Sequence, residues 1–306
     1  MIYIANDTYT ITVGLPDDPR YANAGENLRN GVGAIFIGFG ERGFSCTATA
    51  ISKTHVLTAA HCVRDGENPL DTLLFVFSAG LEVPFIAEAT GFVVHPYYDT
   101  FLPSYGAFAH GDMAVLELAQ ALPDSVEPYE LYRGSDEFEK AVRHNGHGAF
   151  GTGNKGATGG SDFFYARTGL NMYESTMAPF LGDGFPDQLV MDFDSNGTKH
   201  NAMQWWFSSA FVNGNTDNPV VAQKKPHVKR DQSVFADRGY GKLEVGTARG
   251  DSGGPSFIDG KIAGVHSFGF THGCDTYANG TDFTCGLDSS YGEMSGDARV
   301  SFYASW

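Results

Sequence analysis

Short apolar runs separated by Gly, Pro or Asp are the feature of this 306-residue chain that most constrains its fold. They recur about every ten to twenty residues, which is typical of strands joined by turns and not of βαβ units. The runs are Ala34–Phe39, Thr47–Ile51, His55–Thr58, Leu73–Phe77, Ala89–Val94 and Met113–Leu118. The pattern predicts an all-β sandwich or barrel.

The chain divides into three stretches by its patterning. They are a polar N-terminal arm at 1–30, a first β unit at 31–135 and a second β unit at 136–306. Within the second unit, glycine and polar residues dominate 151–240, and strands are harder to identify there. Residues 297–306 carry no helix breaker and predict a short C-terminal helix that packs on the body.

The charge balance limits the kinds of molecule that the protein is expected to bind. The formal net charge is −16, and an acidic chain repels phosphate backbones, so we expect no nucleic-acid binding. The one concentrated basic stretch, Lys224–Arg230, is typical of a solvated loop, with a docking patch as the alternative. No apolar run is long enough for a membrane span. The first residues, Met1–Asp7, have no signal-peptide pattern, so we expect any export signal to lie outside this numbering.

Four cysteines fall into two local pairs, Cys46 with Cys62 and Cys274 with Cys285. An even number at short spacing predicts two disulfides and an oxidising compartment. Four buried thiols in a cytosolic protein are the alternative that spacing alone leaves open.

The strongest local motif is Gly250-Asp-Ser-Gly-Gly-Pro255. A serine hydroxyl needs a neighbouring base to become a nucleophile, and the oxyanion formed on attack needs backbone N–H groups aimed at one point. Glycines permit such a turn. The motif therefore predicts that Ser252 is a nucleophile, against the alternative of an ordinary Gly/Ser loop.

A base and a carboxylate that orients it are expected elsewhere in the chain. His61, in Thr58-Ala-Ala-His-Cys62, follows an apolar strand and is the candidate base, although a lone histidine is more often structural. Asp112 opens the apolar run Met113–Leu118 and is the candidate carboxylate. Asp99 is a weaker alternative in a loop.

Taken together, these segments resemble the three catalytic segments of trypsin/chymotrypsin-like peptidases, in the same order. Cys46 and Cys62 resemble the disulfide beside the catalytic histidine in that family, Gly264–Gly269 its substrate-binding strand, and Ala298–Trp306 its terminal helix. The G-x-S-x-G elbow of α/β-hydrolases also fits the serine motif, but those enzymes place the histidine after the serine, where only His266 and His272 remain.

The resemblance implies two six-stranded antiparallel β-barrels with the catalytic cleft between them. It implies that Ser252 is the nucleophile, His61 the general acid/base and Asp112 its orienting partner, with an oxyanion hole formed by the N–H groups of Gly250 and Ser252. A secreted (extracellular or periplasmic) serine endopeptidase acting on polypeptides follows, with no cofactor and no metal, and we expect a monomer. A catalytically silent trypsin-fold binding protein is the alternative.

The sequence departs from the family pattern in several places. The spacing from Asp112 to Ser252 exceeds the usual family value, which implies a long insertion in the loops of the second barrel within 151–240. It lacks the Ile-Val-Gly-Gly start whose new amine pairs with the acid before the nucleophile, so the partner of Asp251 is open. Cleavage after Arg20 is a disfavoured route, and residues 17–32 instead resemble the entry of secreted bacterial trypsin-like proteins. Asp192–Gly197 resembles the start of a calcium loop, but Met203 stands where a bidentate Glu belongs, and a polar turn is the alternative.

The resemblance also suggests the specificity pocket. The substrate-binding residues would be Gly246, Thr247, His266, Ser267, Phe268 and Gly269. Gly246 stands at the pocket floor, where trypsin-like specificity requires Asp. Thr247 and His266 match positions at which glutamyl endopeptidases hold a substrate carboxylate, which predicts a preference for an acidic residue before the scissile bond. The alternative is that His266 only packs between strands.

Overall fold

The computed structural model describes most of the chain in twelve segments. They are residues 3–5, 10–12, 15–21, 31–64, 70–77, 83–99, 110–161, 164–178, 185–197, 200–207, 238–271 and 281–306. The basic stretch Lys224–Arg230 and Cys274 lie outside them. The described residues include no helix with the length and apolar character that a bilayer crossing needs.

Strands dominate the described residues. In chain order they are β1 (Tyr3–Ala5), β2 (Thr10–Thr12), β3 (Val32–Phe39), β4 (Arg42–Ala50), β5 (His55–Thr58), β6 (Thr72–Phe77), β7 (Phe85–Val94), β8 (Ala114–Leu118), β9 (Ala141–Gly146), β10 (Phe150–Thr152), β11 (Gly156–Gly159), β12 (Arg167–Met172), β13 (Ser175–Thr176), β14 (Gln188–Asp192), β15 (Val245–Gly246), β16 (Pro255–Ile258), β17 (Lys261–Thr271) and β18 (Met294–Arg299). The helices are short: Ala60–Val63, Ala202–Phe207 and Val300–Tyr303, with 3₁₀ turns at Pro19–Tyr21, Pro96–Asp99 and Gly241–Leu243.

The first β unit is a closed antiparallel barrel of six strands in the order β3-β4-β5-β8-β7-β6. Alternate side chains point inward, as in β3, where Ile35 and Ile37 are fully buried and Phe36 is exposed. Gly33 has a packing role, because a Cβ there would lie 2.6 Å from the ring of Phe75 inside the barrel. The apolar runs of the sequence therefore correspond to the strands of this barrel.

The second β unit is built around a sheet in the order β12-β9-β16-β17-β18-β14-β13, with β1 paired to the edge of β17. A smaller sheet, in the order β11-β10-β2-β15, lies beside it. The all-β fold class is confirmed. The second barrel is not the expected closed six-stranded one: it is a curled half-barrel of seven strands, whose end strands β12 and β13 do not pair with each other in the described part of the chain.

Residues 151–240, expected to be an insertion of loops, contribute strands to the second sheet. Strand β14 is buried along its whole length and pairs with β18. Strand β12 pairs with β9 over six positions. The spacing between Asp112 and Ser252 therefore includes structural strands as well as the residues 208–237 that lie outside the described part.

The C-terminal helix is shorter than the sequence predicted. It runs from Val300 to Tyr303, because β18 continues as far as Arg299. Asp297 is fully buried, and Ala298 pairs with Val265 of β17, so these residues belong to the sheet. Val300 and Tyr303 then pack into the apolar core that the helix shares with the first barrel.

Parts of the N-terminal arm lie against the second β unit. Tyr21 is fully buried, and its hydroxyl donates to the carbonyl of Lys242 at 2.8 Å. The Arg167 guanidinium lies 3.6 Å from the Asp17 carboxylate. Tyr21, the residue that a cleavage after Arg20 would place at a new N-terminus, is therefore buried against the second β unit.

Candidate active site

Neighbouring strands bring His61 and Asp112 together. His61 lies in the helix that follows β5, Asp112 precedes β8, and these two strands pair with Thr58 opposite Ala114. The Asp112 carboxylate accepts two hydrogen bonds from His61, one from the backbone N–H at 2.9 Å and one from Nδ1 at 2.7 Å. Because Nδ1 is held this way, Nε2 is the ring nitrogen left for proton transfer.

Asp112 receives a third hydrogen bond that sequence reasoning missed. The hydroxyl of Ser267 donates to its Oδ2 at 2.5 Å, across 155 residues of chain. Burial opposes ionisation of Asp112, but the adjacent His61 and the hydrogen bonds from His61 and Ser267 outweigh it and hold the pKa below its ordinary value. Ser267, expected only in the substrate-binding strand, is therefore also a neighbour of the candidate triad. The alternative carboxylate, Asp99, ends a 3₁₀ turn, and its side chain lies outside the described residues.

Ser252 lies in a turn between two glycines with positive φ, Gly250 at 95° and Gly253 at 81°. The carbonyl of Ser252 accepts from the backbone N–H of Thr47 at 2.8 Å. Cys62 Sγ lies 3.7 Å from this carbonyl oxygen and 3.9 Å from Nε2 of His61. The segments of His61 and Ser252 therefore meet around one sulfur atom, which is disulfide-bonded to Cys46.

The peptide between Arg249 and Gly250 has a fixed orientation. Its carbonyl oxygen accepts from the N–H of Ala149 at 2.7 Å. Since the carbonyl and N–H of a planar trans peptide point in opposite directions, this bond directs the Gly250 N–H away from Ala149. The next carbonyl, that of Gly250, accepts from the hydroxyl of Thr47 at 2.8 Å.

Asp251 is fully buried, and two backbone amides hold its carboxylate. Oδ1 accepts from Gly148 N–H at 2.8 Å and Oδ2 from Ala248 N–H at 2.7 Å. Gly146 and Gly148 leave room for it, because a Cβ at these positions would lie 1.9 Å and 2.6 Å from Oδ1. Among the described residues, backbone N–H groups on both sides of the turn therefore hold the Asp251 carboxylate.

The predicted pocket residues Gly246, Thr247 and His266 are all buried. A Cβ on Gly246 would approach the ring of Phe193 to 3.1 Å, so this ring packs directly against the predicted pocket floor. His266 does not use both ring nitrogens on backbone, as its structural alternative supposed. Its Nδ1 lies 2.9 Å from Oδ1 of Asp297, which is a side-chain carboxylate.

A buried network surrounds Asp297. Its Oδ2 accepts from the hydroxyls of Ser256, at 2.5 Å, and Tyr173. Burial opposes ionisation of Asp297, but the adjacent His266 and its hydrogen bond outweigh it, so the pKa lies below the ordinary value. His144 lies beside His266 with ring centroids 5.0 Å apart, and burial together with His266 lowers the pKa of His144 to about 3. His144 is therefore neutral, while Asp297 carries the charge.

The predicted substrate strand is buried from Ile262 to Thr271. β18 pairs with one edge of this strand. On the other edge, Gly253 N–H donates to the His266 carbonyl, and His266 N–H donates to the Gly254 carbonyl. Farther along, Gly269 pairs with Ala5 of β1. Among the described strands, none pairs with Ser267 and Phe268 on that second edge.

The predicted disulfides and the calcium-like motif have different outcomes. Cys46 and Cys62 form a disulfide, and Cys285 is disulfide-bonded, while its expected partner Cys274 lies outside the described residues. In the calcium-like motif, Oδ2 of Asp192 accepts from the N–H of Met203 at 2.8 Å. This carboxylate therefore holds the first turn of the helix Ala202–Phe207.

Comparisons with known proteins agree with the geometry at the level of the fold. The sequence matches the family model described as Trypsin over residues 25–163, which include His61 and Asp112 but not Ser252. The structure resembles HL collagenase, solved at 1.7 Å, with a TM-score of 0.54, 15% sequence identity and coverage of 94% of this chain and 95% of that one. At this identity the likeness concerns the fold alone. No curated protein sequence matches the chain.

Proposed function

The chain belongs to the trypsin/chymotrypsin-like family, and we propose that it is a serine endopeptidase with Ser252 as nucleophile. One observation carries the proposal. The Asp112 carboxylate orients His61 by two hydrogen bonds, and Cys62 Sγ contacts both Nε2 of His61 and the Ser252 carbonyl. A histidine backed by a buried carboxylate, next to a serine in a glycine turn, is an arrangement that activates a hydroxyl.

The reaction proceeds in two stages. His61 Nε2 takes the proton of the Ser252 hydroxyl as its oxygen attacks the substrate carbonyl carbon, and the N–H groups of Gly250 and Ser252 stabilise the negative oxygen. The imidazolium then gives its proton to the leaving amine, and an acyl-enzyme remains. Water, activated by the same imidazole, hydrolyses the ester and restores Ser252. Asp112 stays ionised throughout and stabilises the imidazolium.

We further propose that the pocket selects an acidic residue before the scissile bond. A substrate carboxylate needs donors, and the hydroxyl of Thr247 and Nε2–H of His266 supply two. Nε2 donates in this pairing when His266 is doubly protonated, with Nδ1–H directed at Asp297. Gly246 adds no opposing charge at the pocket floor.

The substrate backbone would add along the edge of β17. Ser267 and Phe268 lie between the turn at Gly253–Gly254 and the point where Ala5 pairs with Gly269. A short extended peptide fits this gap as an added strand. A peptide reaching beyond it competes with Tyr3–Ala5 for the same edge.

The proposal extends to the compartment and to the partners. The disulfide at Cys46 and Cys62 is stable in an oxidising environment, which supports secretion to the extracellular space or periplasm. Polypeptides are the substrates that the protease family implies. A monomer that binds no nucleic acid agrees with the net charge of −16.

Labelling with a fluorophosphonate tests the proposed function. The intact protein is expected to react at Ser252, as located by peptide mass mapping, and Ser252→Ala is the matched control that remains unlabelled. A folded protein that is never labelled favours the catalytically silent binding protein. A peptide library then tests the pocket: a preference for Phe, Leu or Arg before the scissile bond contradicts acidic specificity without affecting the triad.

A further inference from the structure

The N-terminal strand β2 is inserted between two strands that lead into the nucleophile turn. It runs parallel to β10, with Ile11 opposite Gly151, and antiparallel to β15, with Ile11 opposite Gly246. Thr12 fixes this position: it is fully buried, its hydroxyl donates to Gly151 O at 3.1 Å, and its carbonyl accepts from Gly153 N–H. β2 is therefore the strand that joins β10 to β15.

Strand β10 leads to one side of the turn. The two residues before it, Gly148 and Ala149, donate their N–H groups to the Asp251 carboxylate and to the Arg249 carbonyl. The second of these bonds sets the direction of the Gly250 N–H, one of the two proposed oxyanion donors. A shift of β10 therefore changes the direction of the Gly250 N–H.

Strand β15 leads to the other side. Two residues after it, Ala248 donates its N–H to the Asp251 carboxylate, and its carbonyl accepts from the Asp251 N–H at 2.8 Å. The two backbone N–H groups that bond to the Asp251 carboxylate thus each lie next to a strand that pairs with β2. The spacing of these strands decides whether both amides reach the carboxylate at once.

We propose that β2 is a positioning strand for the oxyanion turn and that Thr12 is a positioning residue of the reaction. This inference rests on the proposed function and deepens it. β2 acts on the transition state through Ala149, Ala248 and the Arg249–Gly250 peptide.

Thr12→Val tests the proposal because it keeps the shape of the side chain and removes the bond to Gly151. We expect kcat and the fluorophosphonate labelling rate of Ser252 to fall about tenfold, a part of what losing one oxyanion donor costs, with KM changed less than about twofold. Thr12→Ser keeps the hydroxyl and is expected to restore both rates. If the valine variant does not fold, Thr12→Ala removes the same hydroxyl without placing a methyl group against the Gly151 carbonyl.

Thr168→Val is the matched control, since Thr168 is buried and its hydroxyl donates to the backbone carbonyl of His144 at 2.8 Å, far along the chain from β2. It should lower the thermal midpoint by a similar amount and keep kcat. If Thr12→Val keeps the kcat of this control, the positioning role is wrong and Thr12 is only structural. If the wild-type protein neither cleaves peptides nor reacts at Ser252, the proposed function itself is wrong, and the inference is overturned with it.

Discussion

Asp297 holds His266 from inside the protein: its Oδ1 lies 2.9 Å from Nδ1 of the imidazole, and both side chains are almost completely enclosed. The two residues face each other across the β17–β18 pair, where His266 is in register with Asp297. A charged residue at the centre of a sheet is costly unless it is paired. This pairing links the histidine of the predicted pocket to the core of the second sheet.

Asp297→Asn is expected to reduce selectivity for acidic substrates. The substitution removes the carboxylate that holds Nδ1 of His266, so the imidazole is no longer fixed in the orientation that the proposed contact with a substrate carboxylate needs. For two peptides that differ only by Glu or Gln before the scissile bond, the ratio of kcat/KM values should fall about tenfold or more, as expected for a lost charge-assisted hydrogen bond.

Glu137→Gln is the control for that experiment. Glu137 is also a fully buried carboxylate, paired with Arg299, so its loss perturbs the core to a comparable degree. The Glu-to-Gln ratio should be unchanged in this variant. An unchanged ratio in folded Asp297→Asn would contradict the acidic pocket.

Asp112→Asn is expected to lower kcat about 10⁴-fold and leave the fold intact, because the amide can hold His61 in the wrong tautomer. Steady-state hydrolysis of a peptide substrate gives kcat, and circular dichroism checks the fold. Asp99→Asn serves as the control and should retain activity. The assignment of Asp112 is wrong if the two variants are equally active.

Glu293→Gln is expected to stabilise the protein increasingly as the pH rises above 4.5. Burial, together with Asp282 and Asp288 nearby, raises the pKa of Glu293 well above that ordinary value. The folded state then binds more protons than the unfolded state, so the free energy of unfolding falls as the pH rises towards the folded pKa. Thermal unfolding at pH 5 and pH 8 measures the effect.

Exposed Glu117 provides the comparison for Glu293, through Glu117→Gln. Subtracting the wild-type curve from each variant removes the titration of all other groups. The expected result is a stability difference that grows with pH for Glu293→Gln and stays flat for the control. A flat difference for both variants would show that Glu293 titrates normally.

Replacing Cys46 and Cys62 together by Ala is expected to lower the free energy of unfolding by about 3 kcal/mol, from the entropy of closing a loop of this size. The bond spans 16 residues and ends beside His61, so kcat should fall as well. Chemical denaturation under oxidising conditions measures stability while Cys274 and Cys285 are kept. Unchanged stability and activity would mean that the disulfide is dispensable.

The first barrel could be predicted because its strands follow a simple rule. Its inward side chains are apolar, as in β6 and β8, so hydrophobic periodicity finds each strand. His61 and Asp112 could be identified from the sequence for the same reason, since each adjoins such a strand.

Much of the second sheet follows no such rule. Strand β12 buries polar residues, among them Thr168 and Asn171, and satisfies them individually: Thr168 donates to His144 O, while Asn171 donates to the carbonyls of Asp192 and Val245. Because these residues are polar, hydrophobic periodicity assigns them to a loop. The contact of Ser267 with Asp112 is equally invisible, because only the completed fold brings the two together.

Thr47 connects the two halves of the molecule at the proposed reaction centre. It belongs to β4 of the first barrel, yet its N–H bonds to the Ser252 carbonyl, and its hydroxyl donates to Gly250 O and accepts from His147 N–H. The halves are therefore not interchangeable modules. A chimaera that joins this first barrel to the second half of a relative inherits a working nucleophile only if the graft reproduces the fit around this one threonine.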